Sequence, residues 1–542
     1  MKRVLMLAAE NGALNGAKVG GMADVIRDLP HALYSHGVCA DIAMPSYGFL
    51  QRELTVSQQT MVKVSFYGQP HWVTLYQCVH PQLPEVNLYL FDHPLFDDGG
   101  NVYTLGQSDR PFADDANKFA LFCASVATAL AQQTIALPDH LHLHDWHCGV
   151  MALLRAYSPE HQILQRIPCI ITIHNLAIQG IRPLNNEHSS LQSWFPQLYR
   201  HLSDEAINHI CDKRYLNCFN PLRAAIVLSD KVHLVSPNYA KEVLQPSDAQ
   251  RGFYGGEGLE EDLQVKQQHQ QLFGILNGCQ YEKTSSSSRK LSARKALEQG
   301  GLDTMALLLN QAENALQRWM VNHPYLRSVD QIALVTIARL NRALGDSIEP
   351  RTILTSVGRL TDQKVKILLY QDDKGVSTLA HLLARLEQCS PRGVLVLLGS
   401  GDSDIEQALA KLASCNHNFL FLNGFDLSLS QALYDEGSLF IMPSSFEPCG
   451  ISQMLAMRAG QPCLVHGVGG LQDTVNDEEN GFIFVGDSIA EQASEMLRRF
   501  DALLPKMATA EWQAICDNAK AKRFDWSRSA KAYCEQLYQF ST

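Results

Sequence analysis

The sequence has no Cys-x-x-Cys pair, no long run of Lys and Arg, and no apolar stretch long enough to span a bilayer. Each absence closes a class of function. Fourteen cysteines are scattered, mostly in apolar surroundings such as Cys169 in PCIITIH and Cys463 in QPCLVHG. They read as reduced, buried thiols of a cytoplasmic protein rather than a secreted disulfide framework. The missing basic tract and a net charge of −11 argue against a nucleic-acid groove or an anionic-membrane patch. The apolar run of the opening MKRVLMLAAENG is short and meets a Gly-rich loop at once, so it reads as a first β-strand rather than a signal peptide.

What is present is 542 residues, 46% of them hydrophobic, enough for two or more domains with cores that need no disulfide or metal staple. Short, fully apolar runs alternate with amphipathic stretches. RVLMLAA (3–9), the loop NGALNGAKVGG (11–21), the helical MADVIRDLPHALYSHG (22–37) and VCADIAMP (38–45) make a βαβ pattern. LHLHDWH (141–147), CIITIHN (169–175) and KVHLVSP (231–237) continue it. Near residue 351 a second series begins: ILTSVGRL, GVLVLLGSGD, NFLFLNG, LFIMPSS and PCLVHGVGG. This alternation predicts an α/β protein with two doubly wound, parallel-sheet domains, and ligands at the carboxyl ends of the strands. The expected domains are 1–282, 351–508, a helical connector over 283–350 that opens with the polar tract TSSSSRK, and C-terminal helices over 509–542 that return to the first domain.

Four motifs carry chemistry. In AKVGGMADV, glycines before a helix allow backbone N–H groups near an anion, and Lys18 adds a charge. A tight turn without a ligand explains the glycines equally well. In LHLHDWHCGV, strand alternation puts His140, His142 and His144 on one face; without a Glu- or Cys-rich partner motif this reads as packed imidazoles and one ligand-facing turn, with no metal. In SVGRLTDQK, Arg359 and Lys364 follow a strand, as two cations for a diphosphate would. In MPSSFEPCGISQ, the helix beginning at Gly450 would aim N–H groups and the Ser452 hydroxyl at a phosphate, with Glu447 facing the attached group. The plainer alternative makes Glu447 a helix N-terminal charge.

The ordered set AKVGGMADV, HDWHCG, TIHNLAIQG, VSPNYAKEV, YGGEGLE, GILNG, GRLTDQK, LLGSGD, PSSFEPCGISQ, GGLQDTV, NGFIF and FDWSRSAKAY resembles the bacterial glycogen synthase/starch synthase family over nearly the whole chain. That resemblance implies the GT-B architecture, two Rossmann-like domains facing across a cleft. It implies transfer of glucose from ADP-glucose to an α-1,4-glucan with retention, no metal and no cofactor. It implies that Lys18, Gly20 and Gly21 form a phosphate-side loop, that His174 lines the reacting sugar, with Asn175 beside it, and that Asp145 lies near glucose and acceptor. Arg359 and Lys364 would neutralise the leaving diphosphate. Glu447 and Cys449 would surround glucose, and Gly450, Ile451 and Ser452 would contact the distal phosphate. Phe425 would stack on adenine, and Tyr103 would face the acceptor. With no obvious carboxylate nucleophile on the first domain, the resemblance points to front-face attack through an oxocarbenium-like state, and to a domain closure that excludes water.

The sequence departs from the family pattern at NGCQ (277–280) and the TSSSS that follows, at Val365, at Ser445 and at His466–Val468. Two other readings remain open at this point. One is a retaining transferase with another sugar nucleotide or a small acceptor. The other is a weakly active relative that binds glucan or partners.

Overall fold

The computed structural model describes residues 1–104, 110–281, 304–346 and 352–540. The TSSSSRK tract and the residues after it to 303 lie outside the described residues. The chain forms two compact units. The first is built from the described residues of Met1–Ser247, Gly255–Gly278 and Asp525–Thr542, the second from those of Asp248–Tyr254 and Cys279–Phe524.

The first unit holds a nine-stranded sheet and a two-stranded ribbon. Its strands are β1 (Lys2–Leu7), β2 (Val38–Pro45), β3 (Val56–Phe66), β4 (Gln69–Val79), β5 (Asn87–Asp92), β6 (His140–His144), β7 (Cys169–Ile173), β8 (Arg182–Pro183), β9 (Cys218–Phe219), β10 (Lys231–Leu234) and β11 (Leu272–Gly274). The order is β11-β10-β7-β6-β1-β2-β5-β4-β3, with β8 and β9 paired separately. Strands β1, β2, β6 and β7 are buried almost throughout, as a parallel sheet covered on both faces requires. The purely parallel expectation fails at one edge. There β3 and β4 form an antiparallel hairpin whose outward residues, including Lys63 and Trp72, are exposed. From β1 the chain builds outward through β2 and later returns to β1's other side as β6, so the strand order reverses between β1 and β6.

The second unit holds β12 (Ile353–Val357), β13 (Val394–Gly399), β14 (Phe419–Asn423), β15 (Leu439–Met442), β16 (Cys463–His466) and β17 (Phe482–Phe484), all parallel, in the order β14-β13-β12-β15-β16-β17. This is the doubly wound Rossmann order, with its reversal between β12 and β15. The helices Thr304–Asn322 and Ser328–Arg342 cover one face of this sheet. Met305, Leu308, Leu309, Ala312 and Ile337 pack there with Val394, Val396, Leu398 and Leu420. The described part of the expected connector is thus a layer of the second core. The expected C-terminal return divides as well. Helix Ala510–Ala521 packs into the second core through Trp512 and Ile515, and the chain joins the first unit from Asp525.

Candidate active site

In open parallel sheets the crevice for a ligand lies beyond the carboxyl ends of the strands where the order reverses. In the first unit that point is the ends of β1 and β6. The loop after β1 carries Glu10, a buried carboxylate that no sequence motif singled out. Its Oε2 accepts from the N–H groups of Val19, at 2.9 Å, and Gly20, at 2.5 Å; its Oε1 accepts from the Tyr103 hydroxyl at 2.7 Å. The glycine loop's backbone therefore already holds an internal anion, which corrects the expectation that the Gly20 N–H is turned to a ligand. Gly21 is the first residue of the helix Gly21–Tyr34. Lys18 is likewise not a bare charge, because its Nζ lies 2.7 Å from Asp24 Oδ1. The Tyr103 ring lies tilted against His147 with centroids 5.3 Å apart, and burial, with the Glu10 charge beside it, pushes its phenol pKa up.

Asp145 follows β6 directly. Its backbone sits at φ 55° and ψ −175°, a region that side-chain-bearing residues rarely enter and that costs about 1–3 kcal/mol. This conformation accompanies a carboxylate turned to the next strand end, where Oδ1 accepts from the N–H groups of His174 at 2.6 Å and Asn175 at 3.4 Å. Burial pushes the Asp145 carboxyl up to about 7, and the nearby Glu10 charge adds to the effect. His174 follows β7, and its Nε2 lies 2.9 Å from His144 Nδ1. Burial holds His174 down to about 3, so its ring is neutral. The Asn175 side chain accepts from the Ala177 N–H at 3.0 Å. The first unit thus brings Glu10, Lys18, Gly20, Gly21, Tyr103, Asp145, His174 and Asn175 to the ends of β1, β6 and β7. On the same strand His142 bonds to protein groups through both nitrogens, Nδ1 to the Tyr538 hydroxyl at 2.7 Å and Nε2 to Thr172 Oγ1 at 2.6 Å, whereas His140 Nδ1 is buried without a hydrogen-bond partner among the described residues.

In the second unit the reversal lies between the ends of β12 and β15. Arg359, exposed, follows β12, and Lys364 stands in the first turn of the helix Asp362–Leu369. Glu447 follows β15 and is 7% exposed. Lys364 Nζ donates to Glu447 Oε2, and the Ser444 hydroxyl reaches the same oxygen at 3.3 Å. Glu447 is therefore not a helix cap, because the helix Ser452–Ala459 starts five residues later. Between them the chain turns at Gly450, in the left-handed region at φ 74°. Gln453 secures this turn by donating to the carbonyls of Cys449 and Gly450, both at 3.1 Å. Ser452 Oγ accepts from the Tyr434 hydroxyl at 3.1 Å, and Ile451 occupies the N-cap position without a side-chain hydrogen bond. Cys449 is buried.

The glycines of GGLQD close the turn from below. The Gly470 N–H donates to the Glu447 carbonyl at 3.0 Å. A Cβ on Gly469 would stand 2.0 Å from that carbonyl oxygen, and one on Gly470 would stand 2.1 Å from the Cys449 oxygen. Phe425, just beyond β14, leaves 63% of its surface exposed. Its carbonyl accepts from Trp319 Nε1 at 3.2 Å, and the neighbouring Asp426 pairs with Arg318 at 2.6 Å, so the helix Thr304–Asn322 fixes the backbone beneath the ring.

Residues 3–265 match the model of the starch synthase catalytic domain, and residues 347–501 match that of glycosyl transferases group 1. A glycogen synthase of Streptococcus equi subsp. equi is 30% identical, with 99% of both chains covered. The chain belongs to the glycogen synthase family. A glycogen synthase of Photobacterium profundum is 28% identical over 96% of this chain and 91% of its own. Among solved structures, the catalytic domain of starch synthase IV from Arabidopsis thaliana, bound to ADP and acarbose, superposes with a TM-score of 0.70 at 25% identity, covering 99% of this chain and 98% of its own. Sucrose-phosphate synthase from Thermosynechococcus elongatus, at 16% identity and a TM-score of 0.51, shares the fold. This glycogen synthase relative is thus a glycosyltransferase of the GT-B class, as its sequence motifs implied.

Proposed function

We propose that this family member transfers glucose from ADP-glucose to the non-reducing end of an α-1,4-glucan, with retention and in the cytoplasm. The observation that carries the reading is the Lys364–Glu447 pair at the strand-order reversal of the second sheet. A carboxylate beside a diphosphate needs a cation to offset it, and Lys364 supplies one directly. Arg359, exposed at the end of β12, takes the diphosphate oxygens, together with the N–H groups of Gly450, Ile451 and Ser452 at the helix start. The exposed ring of Phe425 stacks on adenine. Glu447 holds glucose hydroxyls and favours positive charge on the ring as its bond to ADP lengthens. Cys449 packs beneath this site.

In the first unit, neutral His174 donates a hydrogen bond to glucose without repelling that charge. Asp145 fixes His174 and Asn175 through their backbone, and Tyr103, held by Glu10, faces the acceptor. Lys18 and the Gly20–Gly21 loop stand on the phosphate side. The starch synthase IV structure contains ADP and acarbose, which supports both substrate classes. Nine of the fourteen cysteines are buried and none forms a disulfide, which fits a reducing compartment. The test is a donor panel with glycogen as acceptor, reading released nucleoside diphosphate. ADP-glucose should be turned over fastest; equal or faster turnover of UDP-glucose overturns the donor assignment.

A further inference from the structure

Between β6 and β7 two imidazoles stack with centroids 5.2 Å apart, and only one nitrogen of each faces the other: His144 Nδ1 and His174 Nε2, at 2.9 Å. One proton can lie between them. His144 Nε2 is buried without a hydrogen-bond partner among the described residues. If His144 carried its proton there, a buried N–H would be left unsatisfied; a bare lone pair is the more tolerable orphan. The proton therefore sits on His144 Nδ1 and is donated to His174 Nε2. His174 is left with its own proton on Nδ1.

We infer that His144 is a positioning residue that fixes the His174 tautomer, so that His174 presents an Nδ1–H donor, and never an acceptor, to the reacting sugar. The inference rests on the reading of His174 as a sugar-facing residue. The surroundings agree with a neutral pair. His142 stacks on His144 at 4.5 Å, and its own nitrogens are committed to Tyr538 and Thr172. His233 on β10 is bonded to Thr172, Tyr533 and the Ile275 carbonyl. Asp145 spends its Oδ1 on backbone N–H groups, and the Cys148 thiol is pushed up by burial. No carboxylate forms an ion pair with either ring among the described residues. Protonating His174 would put two N–H groups face to face at 2.9 Å, so His144 also keeps its neighbour neutral.

The test compares His144→Leu, His144→Asn and His174→Ala with the wild-type chain, using ADP-glucose and glycogen. His144→Leu should lower kcat about tenfold or more with little change in donor KM, since the donor to the transition state loses its orientation. It should also move the acid limb of the kcat–pH profile to higher pH, because His174 can then be protonated. His144→Asn carries an amide N–H near the position of Nδ1 and should restore most of kcat and the limb. Nitrogen-15 spectra of histidine-labelled protein, with the His174 signals assigned by their loss in His174→Ala, should show the His174 proton on Nδ1. A proton on Nε2 overturns the inference. So does His144→Leu with wild-type kcat and limb, or a loss equal at every pH that His144→Asn does not repair. Wild-type kcat in His174→Ala instead overturns the sugar-facing reading itself.

Discussion

Lys364 and Glu447 meet head to head across the two central strand ends of the second sheet, and the glutamate side chain is the more deeply buried, 8% exposed against 29% for the lysine side chain. The lysine can reach water alone; the carboxylate cannot. Glu447→Gln should therefore cost only about 1 kcal/mol of stability, because the lysine charge left behind can turn to water. Its kcat should fall about a hundredfold or more, the scale of one lost electrostatic contact at a reacting centre. Steady-state kinetics beside a thermal melt decides the matter. An early melt or near-normal kcat would make Glu447 structural. The double variant with Lys364→Met should lose much less than the two single losses combined, as coupled neighbours do.

Gly470→Ala should be more damaging than its size suggests. The added Cβ would stand 2.1 Å from the Cys449 carbonyl oxygen, which is backbone and cannot swing aside. The turn carrying Glu447 must shift. The expected result is a loss of about 1–3 kcal/mol with a fall in kcat, while Cys449→Ser keeps substantial activity. Wild-type melting and kcat in Gly470→Ala would show that the turn yields freely.

Asp145 makes stability depend on pH. Folded, it keeps its proton up to about pH 7; unfolded, it releases it near pH 4. The folded state binds more protons between those values, so this contribution is full below pH 4 and is lost as pH rises through 7. Asp145→Asn keeps the acceptor oxygen and cannot ionise. Its stability relative to the wild type should climb from pH 4 to 7 and level off above, by at most about 4 kcal/mol. Parallel melting curves at all pH values would contradict this.

The buried imidazoles act in the opposite sense. His147 and His174 are held down to about 3 and His233 to about 4, all by burial, against about 6.5 unfolded. Their contribution is present above pH 6.5 and is lost as pH falls through the folded values. The second sheet has one such group, His466. Hydrogen exchange between pH 6.5 and 4 should therefore show β6, β7 and β10 losing protection before β12, β13 and β15. The reverse order would refute the assignment.

Phe425→Ala should raise the ADP-glucose KM roughly tenfold, since stacking on a base contributes about 1–3 kcal/mol. UDP-glucose, with its smaller ring, should be affected less. A donor panel at fixed glycogen reads both. Equal effects on the two donors would remove Phe425 from base recognition.

Strand β2 was legible residue for residue, because a run that is apolar but for Asp41, preceded by a glycine and closed by a proline, has one plain reading. The hairpin β3–β4 was not. Its outward face alternates polar and apolar residues and sits at a sheet edge, so the burial signal halves. Lys364 and Glu447 were each visible as charges after apolar strands; that they touch depends on β12 and β15 being neighbours, which sequence order hides. Glu10 left only a faint mark, a lone charge between a strand and a glycine loop. Its partners are two backbone N–H groups and a tyrosine 93 positions away. The His144–His174 contact likewise needs the β6–β7 register, in which His144 stands opposite Thr172.

The last described stretch of the chain has a consequence for how the molecule is made. Tyr538 bonds His142, Lys231 donates to the carbonyls of Gln536 and Leu537, and the Ser529 hydroxyl donates to that of Leu276. On the ribosome, the second unit is complete once Phe524 has emerged, while the first still lacks the residues that cover its histidines. The half begun first is the half finished last. A nascent first unit carries His142 without Tyr538 and His233 without Tyr533 through the synthesis of the entire second unit, the interval in which a chaperone would find it.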